Sequence, residues 1–410
     1  SVAPRFGFAY DVFGKGKTVI RGGAGVFLDR SRQLINVNTV TNPPVSFRPT
    51  AYYGDLATFA QSAGAIGPST VRFVNPERKA QQPSITSFSL GVQQQLPVAA
   101  VIDVSYVGNV SSHLLQARNL NIIPMYARFD PANADPTVPG SPLPSDFYRP
   151  YPGHGDLITY EFASSSNYHS LQVSAQRRFT NGFGLGTAYT WSKALGVSDA
   201  WTDMVSSYFK PRRWDYGPFP FDRSRIFTVN YIYELPNPGR RLNSKFLAAI
   251  ADQWSISGVL SFFSGAPFTP GWSTTYTTDI TGSGEGARIT VTGDPRLSKG
   301  EKTFYRNFRQ ESFALTPVRS FGNAGVGILR GPGTNNWDIS LGKRIPLGLG
   351  EGRALRFRSE FYNAFNHTQF SGLDTGARFD ATGKQVNANF GAYNAARPPR
   401  IISFSLRLSF

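Results

Sequence analysis

Apolar and polar positions alternate along this chain with a period of two, in segments of about ten residues. In the final segment the odd positions carry serine or Arg407, and the even positions carry large apolar side chains. Those even positions are Ile402, Phe404, Leu406, Leu408 and Phe410. Because successive side chains of a β-strand point to opposite faces, the alternation predicts strands with one apolar and one polar face.

The same alternation predicts about eleven strands across the chain. They lie near residues 3–12, 17–28, 85–96, 98–109, 167–179, 182–193, 223–235, 248–264, 336–345, 353–365 and 400–410. A further hairpin within 265–335 would bring the number to about 13. We expect residues 1–410 to form part of a single all-β domain.

The connections between the predicted strands alternate between short and long. Phe13–Gly16 and Thr180–Gly182 form tight turns. The long connections are 29–84, 110–166, 194–222, 265–335 and 366–399. Short periplasmic turns and long extracellular loops are typical of outer-membrane barrels, so the sequence predicts a transmembrane antiparallel β-barrel. A soluble β-sandwich is the alternative fold.

Rings and charges separate onto different strand faces. Aromatic belts at the membrane interfaces would suit the rings of Tyr189, Trp191, Tyr231, Tyr233, Trp254 and Trp337. The opposite faces carry Arg356, Arg358, Glu360 and Arg407. A charge that faces lipid at mid-depth costs about 2–4 kcal/mol, whereas a charge in a wet lumen costs little. We therefore expect the rings to face lipid and the arginines to face the lumen.

Composition narrows the possible chemistry. Only 17% of residues are charged, yet Lys+Arg 42 against Asp+Glu 26 gives a net charge of +16. The basic residues are scattered in pairs such as Arg177 and Arg178, so we expect no nucleic-acid partner. The lumen, the ligand and anionic lipopolysaccharide are the expected environments of this charge. The lack of cysteine excludes disulfides, thiolate zinc sites and cysteine nucleophiles.

No motif indicates catalysis, a cofactor or a metal. Gly16-Lys17-Thr18 resembles the end of a phosphate-binding loop, but Asp11 occupies the position of the required earlier glycine. The four histidines include no pair at the i, i+4 spacing of a helical zinc site. No Gly-x-Ser-x-Gly elbow is present. We expect a protein that is not an enzyme, and no apolar run approaches the roughly 18 residues of a membrane helix.

Several stretches carry a family resemblance in their order along the chain. They are Ala3–Tyr10, Arg21–Phe27, Val104–Gly108, Tyr189–Lys193, Leu329–Gly333, Asn336–Asp338 and Phe357–Thr368. In this order they resemble the C-terminal barrel of TonB-dependent receptors of the Oar-like type, common in Acidobacteria. Such receptors usually begin with a carboxypeptidase-regulatory-like domain and a plug.

The resemblance implies a barrel of 22 strands that encloses a plug, of which these residues supply about half. It also implies coupling to the inner-membrane TonB complex through a TonB box upstream of Ser1. Independently, if the long loops are extracellular, both the first and the last predicted strand run towards the periplasm. A barrel that begins with an ascending strand would then need an odd number of strands before Ser1.

The resemblance and the loop composition nominate two sets of residues. Phe404, Leu406, Leu408 and Phe410 resemble the signal by which the barrel-assembly machinery recognises its clients. Aromatic and basic residues of the long connections are the expected ligand contacts, although they could equally pack the loops together. They are Tyr52, Tyr53, Tyr148, Arg149, Tyr151, Trp201, Tyr208, Arg212, Arg213, Trp214, Tyr216 and Trp272.

Three functions are compatible with these expectations. The first is an outer-membrane receptor that binds or transports a large ligand, which the sequence does not identify, without chemistry on it. The second is a passive or adhesive outer-membrane barrel without energised transport, which would lack a plug and a TonB box. The third is a soluble all-β carbohydrate-binding protein, which would dissolve without detergent.

Overall fold

A computed structural model describes residues 2–29, 40, 42–43, 45–46, 52, 55–58, 69–74, 82–200, 202–276, 279–347 and 353–409. The strands are β1 (Arg5–Asp11), β2 (Thr18–Leu28), β3 (Val71–Val74), β4 (Ser84–Leu96), β5 (Ala100–Asn119), β6 (Leu157–Thr180), β7 (Phe183–Gly196), β8 (Gly217–Pro218), β9 (Arg225–Glu234), β10 (Trp254–Phe263), β11 (Pro267–Phe268), β12 (Gly271–Thr274), β13 (Thr290–Val291), β14 (Phe313–Ala314), β15 (Leu329–Arg330), β16 (Thr334–Pro346), β17 (Ala354–Tyr362), β18 (Phe370–Leu373), β19 (Gly376–Phe379), β20 (Tyr393–Ala396) and β21 (Ile401–Ser409).

The helices with defined bounds in the described ranges are short. They are α1 (Pro211–Trp214), α2 (Pro238–Arg241) and α3 (Lys245–Ala251). Single 3-10 turns occur at Leu56–Thr58, Ala127–Phe129, Pro131–Asn133, Ser145–Phe147, Lys299–Glu301 and Gln310–Ser312. Within the described ranges, no helix combines the length and the apolar character needed to cross a membrane.

Eleven long strands form the path of one antiparallel sheet, in the order β1-β2-β4-β5-β6-β7-β9-β10-β16-β17-β21. Each strand pairs with the next strand of this path along the chain, so the sheet is a meander. Two short strands are attached beside it, β3 on β6 and β8 on β7. In the part of the chain that the structure describes, β1 and β21 are the edges and the barrel is not closed.

The eleven predicted strands are all confirmed, but β5 and β6 extend further than predicted, to Asn119 and from Leu157. The register shifts between Ser111 and Leu115, next to His113, whose φ is 57°. A bulge moves later side chains to the other face, so the period-two pattern breaks while the strand pairing continues. In place of the extra hairpin considered within 265–335, the described residues of this segment form short strand pairs, β11 with β15 and β13 with β14.

The predicted strand 248–264 was wrong at its start. Lys245–Ala251 is a helix, and Trp254 is the first strand residue. The Ser244 hydroxyl accepts a hydrogen bond from Leu247 N, which is the arrangement of a helix N-cap. A continuous apolar run without alternation does not distinguish a strand from a short helix, whereas this cap favours the helix.

Cross-strand register sorts the side chains into an apolar and a polar face. One row that crosses the sheet on the apolar face is Tyr10, Ile20, Val92, Val104, Val173, Tyr189, Phe227 and Phe262. The adjacent row on the polar face is Val19, Gln93, Asp103, Ser174, Ala188, Thr228, Ser261 and Asn336. The apolar face is open, and Phe404 on it is 68% exposed.

The connections differ between the two ends of the sheet. One end has turns such as 12–17, 97–99 and 181–182, together with the helical connection 235–253. The other end carries the long connections 29–83, 120–156, 197–224, 264–333 and 363–400, whose described parts we call the loop assembly. The predicted alternation of short and long connections is therefore confirmed.

The loop assembly has a hydrophobic core of its own. Its buried residues are Ile289, Phe308, Phe313, Ala324, Leu329, Ala377, Phe379 and Phe390. They come from the two connections 264–333 and 363–400, which are also joined by the parallel pairing of β12 with β19. These two connections therefore pack together as one folded unit above the end of the sheet.

Candidate functional site

The last residues of β5 and the first residues of β6 extend beside the loop assembly, and we call them its wall. A strand of about ten residues crosses a membrane, whereas β6 has 24 residues. Val71–Val74 pairs in parallel with Leu157–Tyr160, and Ala117 forms a bridge with Met204. The wall therefore anchors segments from two other long connections.

Arg149 and Asn121 hold the connection 120–156 together through bonds within it. Arg149 Nε donates to Asp146 at 2.6 Å and its Nη1 donates to Asp156 at 2.8 Å. The Asn121 side-chain amide donates to Gly155 O at 2.8 Å, and its carbonyl accepts from Tyr151 N at 2.8 Å. Buried groups held by several hydrogen bonds act in structure rather than as free ligand contacts. Arg149, a predicted ligand contact, thus stabilises the fold of its own connection.

Arg128 and Tyr208 join separate loops. Arg128 Nη1 donates to Asp279 at 2.8 Å and to Ser283 O at 2.8 Å. The Tyr208 hydroxyl donates to Ile123 O at 2.5 Å and accepts from Gly284 N at 2.8 Å. The buried Tyr148 hydroxyl lies near the same Arg128 guanidinium. Tyr208 and Tyr148 therefore lie at the contact between the connections 120–156 and 264–333.

Trp214 lies in a packed cluster below this contact. Its ring stacks on Phe209 with centroids 4.4 Å apart, and the Arg288 guanidinium lies 4.4 Å from its centroid. Arg288 pairs with Asp215 at 3.2 Å. Burial raises the pKa of Asp215 and lowers the pKa of Arg288, and in each the partner's charge opposes that shift only in part. Because desolvation outweighs the attraction, this pair fixes geometry more than it adds stability.

Asp222 and Arg330 join the loop assembly to the sheet. The Asp222 carboxylate accepts a hydrogen bond from Ala194 N at 2.8 Å and pairs with Arg330. Arg330 also donates to Gly265 O at 3.1 Å. The Asp222 side chain is almost fully buried, so this carboxylate is held by charge-assisted bonds at the rim of the sheet.

Other predicted contacts remain accessible. Tyr151 is 53% exposed, and Arg213 is exposed near the end of α1. Tyr52 is exposed too, and its hydroxyl donates to Asp146 beside Phe147. Tyr53 and Trp201 lie outside the described residues.

Arg212 and Tyr216 form a pair against β6. The Arg212 guanidinium lies 3.9 Å from the Tyr216 ring centroid and donates to Ser165 at 3.0 Å. The Tyr216 hydroxyl donates to Asn167 at 3.3 Å. The planar cation over a ring leaves Arg212 exposed on its other side, where it can contact an anion.

Trp272 lines an open cavity of about 580 Å³ in the loop assembly. Its Nε1 donates to Ala287 O at 2.9 Å, which fixes the ring. The wall also contains Asp279, Thr281 and Arg288. A fixed ring among a few polar groups is typical of ligand pockets. Trp272 is therefore a predicted contact that lies in a cavity.

Arginines face one another on the polar face of the sheet near its short-turn end. Arg356 is directly opposite both Arg344 and Arg407 in the register. Arg358, which donates to Ser340 at 2.8 Å and pairs with Glu360 at 2.8 Å, lies one row away. A cavity of about 660 Å³ in front of these residues also includes Arg240 and Glu234. Like charges in register repel, so the arrangement favours an anionic occupant.

Sequence analysis missed the residues that hold the loops. Arg128, Asp222, Arg288 and Arg330 were not among its candidates, and the signals available for them were single charges in long connections. Their partners are far away in the sequence, so no local spacing indicates the pairs. Within the described ranges, no group of three or more histidine, aspartate or glutamate residues is placed to hold a metal ion.

Comparison with known proteins supports the fold. The chain matches the family model described as "Outer membrane beta barrel domain" over residues 1–403. None of the curated proteins matches the chain in sequence. Among solved structures it is similar to the outer membrane transporter YddB from Escherichia coli, with a TM-score of 0.50 and 10% identity. That match covers 99% of this chain and 41% of YddB, so the chain spans about two fifths of that transporter.

Two weaker similarities have the same coverage pattern. The siderophore receptor PirA from Acinetobacter baumannii has a TM-score of 0.43 and 10% identity, over 100% of this chain and 41% of PirA. The FrpB iron transporter from Neisseria meningitidis has a TM-score of 0.42 and 12% identity, over 99% of this chain and 39% of FrpB. The family match covers nearly all residues and agrees with a sheet that has one apolar and one polar face. The chain belongs to the outer membrane beta-barrel domain family, and it is located in the outer membrane.

Proposed function

We propose that this chain is the barrel portion of an energised outer-membrane receptor that captures a large ligand from outside the cell. The observation that carries the proposal is the loop assembly, which folds around a hydrophobic core of its own at one end of the sheet. A pore for small solutes needs no such unit. A ligand-binding head needs loops whose positions are fixed, because ordering them upon binding would cost affinity.

The proposed contacts are the accessible residues of the loop assembly. Tyr151, Arg213 and the Arg212–Tyr216 pair offer rings and cations on its surface, and Trp272 lines its cavity. Rings provide contact area at little conformational cost, and arginine binds carboxylate or phosphate groups through its planar fork. A large ligand with anionic groups suits this set. Coupling to the TonB complex would require a segment outside these residues.

Assembly in the outer membrane supplies the other proposed partners. Lipid contacts the apolar face of the sheet, and the lipopolysaccharide of the outer leaflet surrounds the loops. Phe404, Leu406 and Leu408 line up on the exposed apolar face of the edge strand β21, where the barrel-assembly machinery could bind them. Phe410, the fourth residue of that predicted signal, lies outside the described residues. No nucleic acid, cofactor or enzymatic activity forms part of the proposal.

Uptake by living cells tests the proposal. Wild-type cells and cells that lack the gene would receive a panel of labelled ferric chelates, cobalamin, oligosaccharides and peptides, each with and without a protonophore. We expect at least one compound to accumulate only in wild-type cells and only without the protonophore. Gene-dependent uptake that persists with the protonophore, or gene-dependent adhesion without uptake, would contradict energised transport and favour the passive or adhesive barrel.

Variants of the loop assembly refine the test. Tyr151→Ala and Arg213→Ala remove accessible groups and should lower uptake of the identified compound at least several-fold. Arg356→Gln, at the other end of the sheet, should leave initial binding at the cell surface unchanged. Limited proteolysis of each variant checks that the loops are still folded. Unchanged uptake in both loop variants would exclude these residues as ligand contacts.

A further inference from the structure

The connection between β9 and β10 differs from the other short connections because it contains two helices. Residues 235–253 include α2 and α3 and form what we call the helical turn. A two-residue turn joins β6 to β7 at the same end of the sheet. The helical turn is therefore much longer than the reversal of the chain requires.

The helical turn is tightly built. The carboxylate of buried Asp252 accepts hydrogen bonds from Gly239 N at 2.7 Å and Arg240 N at 3.0 Å, at the start of α2. Gln253 N donates to the Asn237 side chain at 2.8 Å. A Cβ added to Gly239 would lie 2.1 Å from Ala248 N, so the two helices touch at this glycine. The turn consequently has one defined shape and a fixed outer surface.

The surface of α3 opposite this contact is apolar and uncovered. Residues four apart share a helix face, so Phe246 and Ile250 point the same way, roughly opposite to Ala248. Phe246 is 73% exposed and Ile250 is 55% exposed, and Leu242, which follows α2, is 69% exposed. Exposure of these apolar side chains to water is unfavourable in free energy.

The end of α3 is tied to the lipid-facing side of the sheet. Trp254 Nε1 and Lys343 Nζ both donate to Ile250 O, each at 2.8 Å. Trp254 and Lys343 are directly opposite in the register, in the row that continues to Phe357 and Leu406 on the apolar face. The end of α3 that carries Ile250 is thus held beside the face that contacts lipid.

The exposed charges of the helical turn have one sign. Arg241 and Lys245 flank the apolar surface, and Arg240 is exposed on the side of the basic cavity. Asp252 is the acid of this connection, and it is buried against α2. Basic residues beside an apolar helix face are characteristic of helices that lie in the headgroup region of a membrane with anionic lipids.

We propose that the helical turn is a membrane-interface anchor that inserts Phe246, Ile250 and Leu242 into the periplasmic phospholipid leaflet. Arg241 and Lys245 contact the anionic headgroups there. The anchor fixes the depth and tilt of β10 and β16 relative to the bilayer, since α3 is bonded to Trp254 of β10 and to Lys343 of β16. The inference depends on the outer-membrane location and is independent of any transported ligand.

Spin labels measure the depth of this surface directly. The 410 residues contain no cysteine, so single substitutions can be labelled once any cysteine elsewhere in the whole protein has been replaced. The variants are Phe246→Cys and Ile250→Cys, with Ala249→Cys as a third exposed position on α3. Ser257→Cys, on the polar face of β10, is the aqueous control. The whole protein is reconstituted into vesicles of phosphatidylethanolamine and phosphatidylglycerol, and collision rates with oxygen and with a polar nickel complex are compared.

We expect oxygen to collide more often than the nickel complex at positions 246 and 250, and the reverse at position 257. The double variant Arg241→Glu, Lys245→Glu, and vesicles without phosphatidylglycerol, should each shift the labels towards the aqueous values. Aqueous values at 246, 249 and 250 in the anionic vesicles would overturn the proposal. Labels that stay inserted both in the Arg241→Glu, Lys245→Glu variant and in vesicles without phosphatidylglycerol would overturn the headgroup contact of Arg241 and Lys245.

Discussion

The sheet and the loop assembly place their apolar residues in opposite ways. In the sheet, large apolar side chains such as Phe404 and Leu90 stay exposed, at 68% and 55%. In the loop assembly, Phe308 and Phe390 are buried in a common core, at 1% and 0%. One chain thus contains a part adapted to lipid and a part adapted to water, joined at the rim where Asp222 pairs with Arg330.

This difference determines how each part is stabilised. The sheet satisfies its backbone through strand pairing and leaves its apolar face to lipid, as a membrane barrel must. The loop assembly relies on rings packed against rings, such as Phe308 and Phe390 with centroids 4.9 Å apart, and on long-range ion pairs. A substitution should therefore have different effects in the two parts, and the predictions below use that contrast.

The largest effect is expected in the core of the loop assembly. Phe308→Ala removes a fully buried ring and should cost about 3–5 kcal/mol of the free energy of unfolding of the loops. The sheet should be unaffected. Trypsin digestion of the reconstituted protein should cleave the connections 264–333 and 363–400 faster, while heat-modifiable migration on gels, which reports the barrel, is retained. Equal cleavage of variant and wild type would contradict the shared core.

The next effect tests the two faces of the sheet. Leu90→Arg puts a charge on the apolar face near the middle of β4 and should cost about 2–4 kcal/mol. The matched variant Ser89→Arg puts the same charge on the polar face and should cost less than about 1 kcal/mol. Denaturant-induced unfolding from vesicles measures both. Equal costs would mean that the faces are wrongly assigned.

A smaller effect of opposite sign is expected from the facing arginines. Arg356→Gln removes one of three like charges in register and should raise the free energy of unfolding by about 0.2–1 kcal/mol at low salt. If the arginines line the lumen, bilayer recordings of the wild type should show anion preference, and Arg356→Gln should weaken it. Lys15→Gln, in an exposed turn, is the control for loss of charge alone. A cation-selective wild-type pore would contradict the assignment of the arginines to the lumen.

The smallest effect is a dependence on alkaline pH. Burial and the hydrogen bond to Asp146 raise the pKa of Tyr52 from 10.0 to about 12. Because the neutral phenol is favoured in the folded loops, its contribution is fully present below pH 10 and is lost as the pH rises through about 12. Phenolate absorbance of the wild type minus that of Tyr52→Phe should titrate near pH 12. Titration near pH 10 would show that the contact with Asp146 is absent in solution.

The sheet could be predicted from the sequence better than the loop assembly, because its strands depend on a local pattern and the loops depend on distant contacts. Period-two alternation, such as Phe404 to Leu408, is a local signal, and it located all eleven long strands. The ion pair of Asp222 with Arg330 and the contact of Tyr208 with Gly284 join residues that are distant in the sequence, so no pattern could predict them. Of the candidate contacts, the structure leaves Tyr151 and Arg213 exposed and packs Arg149 and Trp214 into the loops.

The orientation of the two ends across the membrane is the central claim, and labelling of intact cells tests it most directly. Lys302→Cys lies in the loop assembly and Lys15→Cys lies in the turn between β1 and β2, and both positions are exposed. With a membrane-impermeant maleimide we expect Lys302→Cys to be labelled on intact cells and Lys15→Cys to be labelled only after permeabilisation. The reverse pattern, or labelling of both positions on intact cells, would contradict an outer-membrane barrel with its loop assembly outside.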